Sequence, residues 1–340
     1  MTPRYAQTVD IRLRPLTRRD IPVWINLLAR IEKVDRTGEH FGAADLEEEM
    51  ADPEVVVGKD FVGAYDGQDM VGYFSVLPRG EAGGHFMIQV DGSVLPSRRD
   101  QGIGTLLVAA MVARAAQVRG EARPDLPAKL AIAGLTSNIA QRDLLGSAGM
   151  GAERWSFIMG TPLDDLPPPP TVPEGFGIRT YDQSMDEAVR EAHNRAFRDY
   201  PNFTPWSRTT WEHFVTRSRS FRPQLTFVVV LEGSGEIAAY LNTAEFDADL
   251  EATGRREAYV AQIGTLPEHR HKGLATALLG HSLPAYRDAG FQEAALSVDS
   301  ENPTGALGIY QRAGFKVESR WTNYSLMLSP DPDPGFAPVR

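Results

Sequence analysis

Apolar and polar residues alternate in a pattern that occurs twice along the chain. Two apolar runs separated by a Gly-containing segment lie at 61–73 and again at 227–239, which is typical of two β-strands joined by a tight turn. Apolar residues at helical spacing follow Gly102 and Gly273 and predict amphipathic helices there. The pattern therefore predicts a mixed α/β protein with an internal repeat.

The repeat extends over both halves of the chain. Ile11-Arg12 is matched by Ile178-Arg179, and Ala148-Gly149 by Ala313-Gly314; with the hairpins and the Gly turns, four features recur in order at offsets of 165 to 171 residues. Each half reads as a strand, a helix pair, a hairpin, a long strand, a Gly turn and helix, a strand, a helix and a last strand. This order predicts a sheet domain of about 150 residues.

Prolines mark the boundary between the halves. Pro162, Pro167 to Pro170 and Pro173 remove backbone donors and favour extended geometry, so residues 162–174 are predicted to be a semi-rigid linker. The predicted domains are residues 1–161 and 175–329. Residues 330–340, which are rich in proline, are predicted to be a flexible tail.

Composition limits the chemistry. Of the 340 residues 42% are hydrophobic and 24% charged, as in ordinary globular proteins, and the absence of cysteine excludes disulfides and thiolate chemistry on the protein. A net charge of -10 disfavours nucleic acid as a partner. Because neither an export signal nor an uninterrupted apolar stretch of about 18 residues occurs, we expect a cytoplasmic protein without a membrane partner.

The two Gly turns are the candidate binding sites. A strand that enters a Gly-rich turn before a helix leaves backbone N–H groups unpaired at the positive end of the helix dipole, which favours an anion. Arg270, Lys272 and Gly273 form such a turn in the second half. Neither copy completes the dinucleotide or nucleoside-triphosphate fingerprints, so those ligands are not predicted.

The second turn and its flanks resemble the acetyl-CoA signature of the GCN5-related N-acetyltransferase (GNAT) superfamily. The motif runs from Thr265-Leu266-Pro267 through Arg270-x-x-Gly273-x-Ala275 to Asn302, Tyr310 and Gly314-Phe315. The duplication resembles tandem acetyltransferases of the mycothiol synthase type. The resemblance implies an α/β (α+β) fold with two acyl-CoA N-acyltransferase domains, each a mixed, mostly antiparallel sheet flanked by helices.

The resemblance also implies a site for acetyl-CoA as cosubstrate. Backbone groups of the strand would bind the acetyl carbonyl and pantetheine, the turn would bind the diphosphate, and Asn302 would bind pantetheine or cap the next helix. The residues so implied are Gly264, Thr265, Leu266, Arg270, His271, Lys272, Gly273, Leu274, Ala275, Thr276 and Asn302. Tyr310 takes the position of the general acid that protonates the leaving thiolate.

The first half keeps the turn but not the acid. Arg99, Gly102 and Gly104 repeat the turn, and Val94 and Leu95 precede it, so this half is also implied to contact acyl-CoA. Four residues before Gly149, where the second half has Tyr310, stands Leu145, which cannot donate a proton. We therefore expect a non-catalytic first half.

The acceptor side is less determined. The general base is not determined: Glu245 or Tyr259 could relay a proton through water, or be surface or wall residues. Five aromatic residues of the second half could line an acceptor pocket or pack a helix pair on the sheet: Phe197, Tyr200, Phe203, Trp206 and Trp211. His269 and His271 lack further ligands at metal spacing, so no metal is predicted.

The predicted function is transfer of an acetyl group to the amine of a small molecule, by direct attack in a ternary complex in the C-terminal half. Two alternatives remain: acetylation of a cysteinyl amine as in mycothiol synthases, or a silent acyl-CoA-binding sensor. A duplicated chain resembles a dimer internally, so a monomer (a pseudo-dimer) is expected, with a homodimer as the alternative.

Overall fold

Two sheet units are present in the computed structural model, which describes residues 10–200, 203–301 and 305–330. One unit comprises Met1–Glu153 with Asn323–Arg340, and the other comprises Arg154–Thr322. The predicted tail, from residue 331, and Asn302 lie outside the described residues.

The first unit follows the predicted order of elements. Its strands are β1 (Ile11–Pro15), β2 (Phe61–Asp66), β3 (Asp69–Ala82), β4 (His85–Val94) and β5 (Ala128–Leu135). Its helices are α1 (Ile21–Asp35), α2 (Ala43–Glu49), α3 (Ile103–Ala122) and α4 (Ile139–Ser147). Successive strands are hydrogen-bonded in chain order, antiparallel except for the parallel pair β4 and β5.

The second unit repeats this arrangement. Its strands are β6 (Gly151–Pro162), β7 (Phe176–Thr180), β8 (Phe227–Leu231), β9 (Ile237–Ala244), β10 (Glu257–Thr265) and β11 (Glu293–Asp299). Its helices are α5 (Asp186–Phe197), α6 (Arg208–Trp211), α7 (Asp247–Thr253), α8 (Leu274–Asp288) and α9 (Ala306–Arg312). From β7 to β11 the neighbouring strands run antiparallel, except that β10 and β11 run parallel. The predicted mixed, mostly antiparallel sheet flanked by helices is confirmed.

The last strand of each repeat does not stay within the unit formed by the rest of that repeat, which the sequence pattern does not predict. Residues 156–162 of β6, which end the first repeat, pair with β11 in the second unit. The final strand β12 (Lys316–Leu328) ends in the first unit, where Tyr324 is buried with the side chains of α3. The start of the predicted linker is also fixed, because Leu163 is buried and its N–H donates to the Gln292 carbonyl at 3.0 Å.

Alternating side chains of each sheet form two apolar layers. In the first unit Tyr73 and Leu77 pack with α1, whereas Phe74 and Val76 pack with α3. By length and composition α3 is, among the described residues, the helix that could cross a membrane. Its apolar face is instead buried against the sheet, as in the core helix of a globular domain.

Candidate active site

Both units open between their two parallel strands. β10 pairs with β11 only from Glu257 to Val260, although β10 continues to Thr265. In the first unit the β4–β5 ladder likewise covers Phe86 to Gln89, and β4 continues to Val94. A strand that leaves its neighbour exposes backbone N–H and C=O groups along that edge, so each opening offers hydrogen-bonding groups to a ligand.

The backbone groups that face the opening are not all those predicted. The Leu266 N–H donates to the Ala238 carbonyl at 3.0 Å, so it is not free for pantetheine. Because successive residues of a strand point their N–H groups to opposite edges, Gly264 also faces β9, whereas Ile263 and Thr265 face the opening.

In the first half the N–H groups alternate between the two edges of the strand in the same way. The Leu95 N–H donates to the Val71 carbonyl at 2.8 Å, whereas the neighbouring Val94 faces the opening. The Leu266 N–H is therefore not available for the role that the resemblance implies, and the Leu95 N–H is likewise bonded within its own sheet. Their side chains are buried, and each residue begins a 3-10 turn.

The turn before α8 has the backbone of an anion site. His271 and Gly273 have φ of 62° and 83°, in the left-handed region, and this brings the chain sharply into the helix. The first backbone bond of α8 runs from the Ala277 N–H to the Gly273 carbonyl at 2.9 Å. The N–H groups of Leu274, Ala275 and Thr276 therefore have no acceptor within the helix. They point out of the helix at its positive end, where a phosphate would be stabilised.

The two basic side chains of this turn, Arg270 and Lys272, make different contacts. Arg270 donates to the Ala196 carbonyl at 2.8 Å and lies 3.6 Å from Asp199, so its guanidinium ties the turn to α5. The Lys272 ammonium is 3.3 Å from His269 Nδ1 and 5.6 Å from the centre of the Phe176 ring. Since Lys272 is exposed, it can supply positive charge beside a bound anion.

The first unit has the same turn and a cavity beside it. Asp100 and Gly102 have φ of 60° and 81°, matching His271 and Gly273. Arg99 forms two hydrogen bonds to Asp35, at 2.8 and 2.6 Å, and so ties this turn to α1. A cavity of about 190 Å³ adjoins the turn. Its lining includes Tyr73, Val94, Arg99, Gly102, Gly104, Asn138 and Leu145.

Tyr310 and Leu145 occupy equivalent positions in the two units. The Tyr310 carbonyl accepts from the Phe315 N–H at 3.0 Å, and the Leu145 carbonyl accepts from the Met150 N–H at the same distance. The Tyr310 side chain is 6% exposed and meets Phe315 edge to face at 6.2 Å. Its hydroxyl has no hydrogen bond within the described part of the chain, and burial raises the pKa of the phenol. The phenol is therefore held protonated and free to donate.

Two residues of the second unit are not indicated by the family motif. Tyr240 is fully buried and its ring lies over Gly264, where a Cβ atom would be 2.6 Å from Tyr240 Cε1. The Tyr240 hydroxyl is 2.5 Å from Nδ1 of His193, on α5. A signal for His193 is present in the sequence, because Val189, Ala192 and His193 lie at the spacing of one helix face.

The two residues considered as a relay lie elsewhere. Glu245 is 2.8 Å from both Arg222 and Arg256. Although burial opposes its ionisation, the hydrogen bonds from Arg256 and Arg222 hold the pKa of Glu245 below its usual value. Tyr259 lies in the part of β10 that is still paired with β11. Glu245 therefore belongs to a structural ion-pair group with Arg222 and Arg256.

The aromatic residues of the second unit pack around His193. Phe197, Phe203, Trp206 and Trp211 have ring centres 4.5 to 5.6 Å from its imidazole. Trp211 is fully buried and donates to Asp186 at 2.6 Å. Tyr200 lies outside this contact set and donates to Asp299 at 2.8 Å. We name His193 with these four neighbours the aromatic cluster; it packs the helices on the sheet.

Comparisons with known proteins agree with this geometry. The model of the acetyltransferase (GNAT) family matches residues 25–126 and 186–315, one region in each half. A mycothiol acetyltransferase of Thermobispora bispora is 30% identical over 78% of this chain and 82% of its own length. One of Kocuria rhizophila is 28% identical over 83% of this chain and 90% of its own.

Solved structures share the fold. A GCN5-related N-acetyltransferase from Sphaerobacter thermophilus has a TM-score of 0.77, with 24% identity over 96% of this chain and 98% of its own. A tandem GNAT protein from the clavulanic acid biosynthesis pathway has a TM-score of 0.70, with 19% identity over 95% and 100% of the two chains.

Proposed function

Because this chain belongs to the acetyltransferase (GNAT) family and is an N-acetyltransferase, we propose that it transfers an acetyl group from acetyl-CoA to the amine of a small molecule in its C-terminal half. The amine attacks the thioester directly in a ternary complex. No cysteine is available to carry the acetyl group on the protein.

The second unit fits acetyl-CoA as the cosubstrate. The N–H groups of Leu274, Ala275 and Thr276 would hold the diphosphate, with Lys272 nearby, because oriented amides at a helix start favour anions. The open edge of β10 at Ile263 and Thr265 would hold pantetheine and the acyl carbonyl. Donors fixed before the reaction can stabilise the charge that develops on a carbonyl oxygen.

The observation that carries the assignment to this half is the position of Tyr310. Its counterpart Leu145 lines the cavity beside the first Gly turn, so Tyr310 stands at the corresponding place in the second unit. There its hydroxyl, which has no hydrogen bond to any described residue, can give a proton to the sulfur as the C–S bond breaks. Leu145 cannot do this, and we propose that the first half does not catalyse transfer.

The test is product formation with acetyl-CoA and a panel of small amines, measured by mass spectrometry. We expect Tyr310→Phe to lower turnover roughly 10- to 1,000-fold, the size of a general-acid effect. Leu145→Met, which makes a matched change in the other half, should leave turnover nearly unchanged. Equal losses in both variants would refute the division between the halves, and binding of acetyl-CoA without any transfer would favour a sensor.

A second candidate acceptor is favoured by the relatives. Two relatives named mycothiol acetyltransferase share 30% and 31% identity with this chain, which supports a cysteinyl amine as the acceptor. The amine panel should therefore include one. We further propose that the protein acts in the cytoplasm. We also propose that it is a monomer, and light scattering would test this oligomeric state.

A further inference from the structure

The neutral imidazole of His193 is a buried titratable group of the second unit that the proposed function leaves unused. Its side chain is 3% exposed, and burial alone lowers the pKa of His193 to about 4. At neutral pH the ring is therefore uncharged and one ring nitrogen can accept a hydrogen bond.

The hydrogen bond to Tyr240 fixes which nitrogen accepts. Nδ1 lies 2.5 Å from the Tyr240 hydroxyl, and Nε2 has no partner within the described residues. Burial raises the pKa of Tyr240 strongly, so this phenol stays protonated and donates to Nδ1. The hydrogen bond therefore provides a path along which a proton can move from the phenol oxygen to Nδ1.

Tyr240 also lies beside the acyl opening. It pairs with Gly264, two residues before the turn at Leu266. Its counterpart Tyr73 pairs with Ser93, two residues before Leu95, and Tyr73 lines the cavity of the first unit. Leu145, the counterpart of Tyr310, lines the same cavity, so the two tyrosines of the second unit correspond to one region.

We propose that Tyr240 and His193 are the proton-accepting pair for the acceptor amine, with Tyr240 touching the amine and His193 acting through Tyr240 as a positioning residue. The proposal rests on the proposed function. As the amine nitrogen forms its bond to the acyl carbon, its proton passes to Tyr240 Oη while the Tyr240 proton passes to His193 Nδ1. The C–S bond breaks and Tyr310 gives its proton to the sulfur. His193 then returns a proton through solvent to the Tyr310 phenolate, which restores every group.

The kinetic test compares variants that remove different parts of the pair. Tyr240→Phe removes the hydroxyl, whereas His193→Asn keeps a hydrogen-bond acceptor without a basic nitrogen. We expect each to lower kcat about 100-fold, with the KM for acetyl-CoA unchanged and no further loss in the double variant. The matched control is Tyr286→Phe, because Tyr286 is equally buried and its hydroxyl lies 2.6 Å from Thr243 Oγ1.

The outcomes separate this proposal from the one on which it rests. Wild-type kcat in Tyr240→Phe or in His193→Asn would overturn the pair and leave the proposed function intact. Absence of transfer by the wild-type protein would overturn both. Nitrogen-15 NMR of labelled histidine supplies a readout that does not need turnover: Nδ1 of His193 should be unprotonated at pH 7, and its resonance should shift in Tyr240→Phe. A protonated Nδ1 at that pH would refute the relay.

Discussion

The left-handed glycine before α8 gives a direct test of the anion site. At φ of 83° an alanine is strained, at a cost of about 1–2 kcal/mol, so Gly273→Ala should shift the turn toward an ordinary backbone conformation. That shift would turn the N–H groups of Leu274 to Thr276 away from a common point. A hydrogen bond to a charged group contributes about 1.5–3 kcal/mol, so losing one should weaken acetyl-CoA binding roughly 10- to 100-fold.

The control separates strain from binding. Gly254 has φ of 72° at the end of α7 and, like Gly102, has open space where the Cβ atom of an alanine would lie. Gly254→Ala should lower the melting temperature about as much as Gly273→Ala, because the backbone strain is similar. It should leave affinity unchanged.

Titration calorimetry with acetyl-CoA, together with turnover, gives the measurement. Gly273→Ala should lose both affinity and turnover, whereas Gly102→Ala should retain turnover because it alters the half that we propose to be non-catalytic. Wild-type affinity in a folded Gly273→Ala protein would refute the reasoning, since the amides at the start of α8 could not then be what holds the diphosphate.

Two further predictions concern stability. Burial and nearby Asp91 raise the pKa of Glu49 to about 7, so folding stability should fall by roughly 1–3 kcal/mol as pH rises from about 4.5 to 7. Glu49→Gln should abolish this fall in urea unfolding followed by fluorescence, whereas exposed Glu47→Gln should not; an unchanged slope would contradict the assignment. Asp60→Asn removes the carboxylate that lies 2.7 Å from buried Arg114 and leaves that charge only the longer pair with exposed Glu121 at 3.6 Å, so it should cost about 3–5 kcal/mol. Asp66→Asn, in a more exposed pair, should cost under about 1 kcal/mol, and equal costs would refute the distinction.

The repeat and its Gly turns could be predicted from the sequence because they depend on local rules. Gly102 and Gly273 adopt nearly the same positive φ, a conformation that glycine adopts without strain. The count of four residues back from Gly149 and Gly314 identified Leu145 and Tyr310, and equal hydrogen bonds at 3.0 Å show the positions to be equivalent. Short-range spacing within one helix is preserved in the fold.

The backbone donors could not be assigned in the same way. Whether Gly264 or Thr265 faces the opening depends on the phase of β10 against β9, and a shift of one residue reverses it. The register change between Val260 and Gln262 sets that phase. The types of these residues do not reveal the register. A sequence motif therefore predicts the strand but not which of its N–H groups face the opening.

His193 shows a second limit. Its place on the apolar face of α5 follows from helical spacing, but its partner Tyr240 is 47 residues away along the chain. Pairing across that distance is created by packing α5 on the sheet. The pair therefore becomes visible only when α5 and β9 are placed together.

The two halves differ in the hydrogen-bond partner of the tyrosine at equivalent positions. Tyr73 donates to Asp91 at 2.5 Å, whereas the matching Tyr240 is bonded to His193. Asp91 lies on the neighbouring strand β4, but His193 lies on helix α5, so the hydrogen-bond partner in the second half comes from a different element of the repeat. Together with Leu145 in place of Tyr310, this leaves the first half with a turn and a cavity but without the donor and acceptor that we propose for transfer. Restoring only the acid, by Leu145→Tyr, should therefore not create activity in a Tyr310→Phe background; recovery of wild-type turnover in that double variant would show that the acid alone had distinguished the halves.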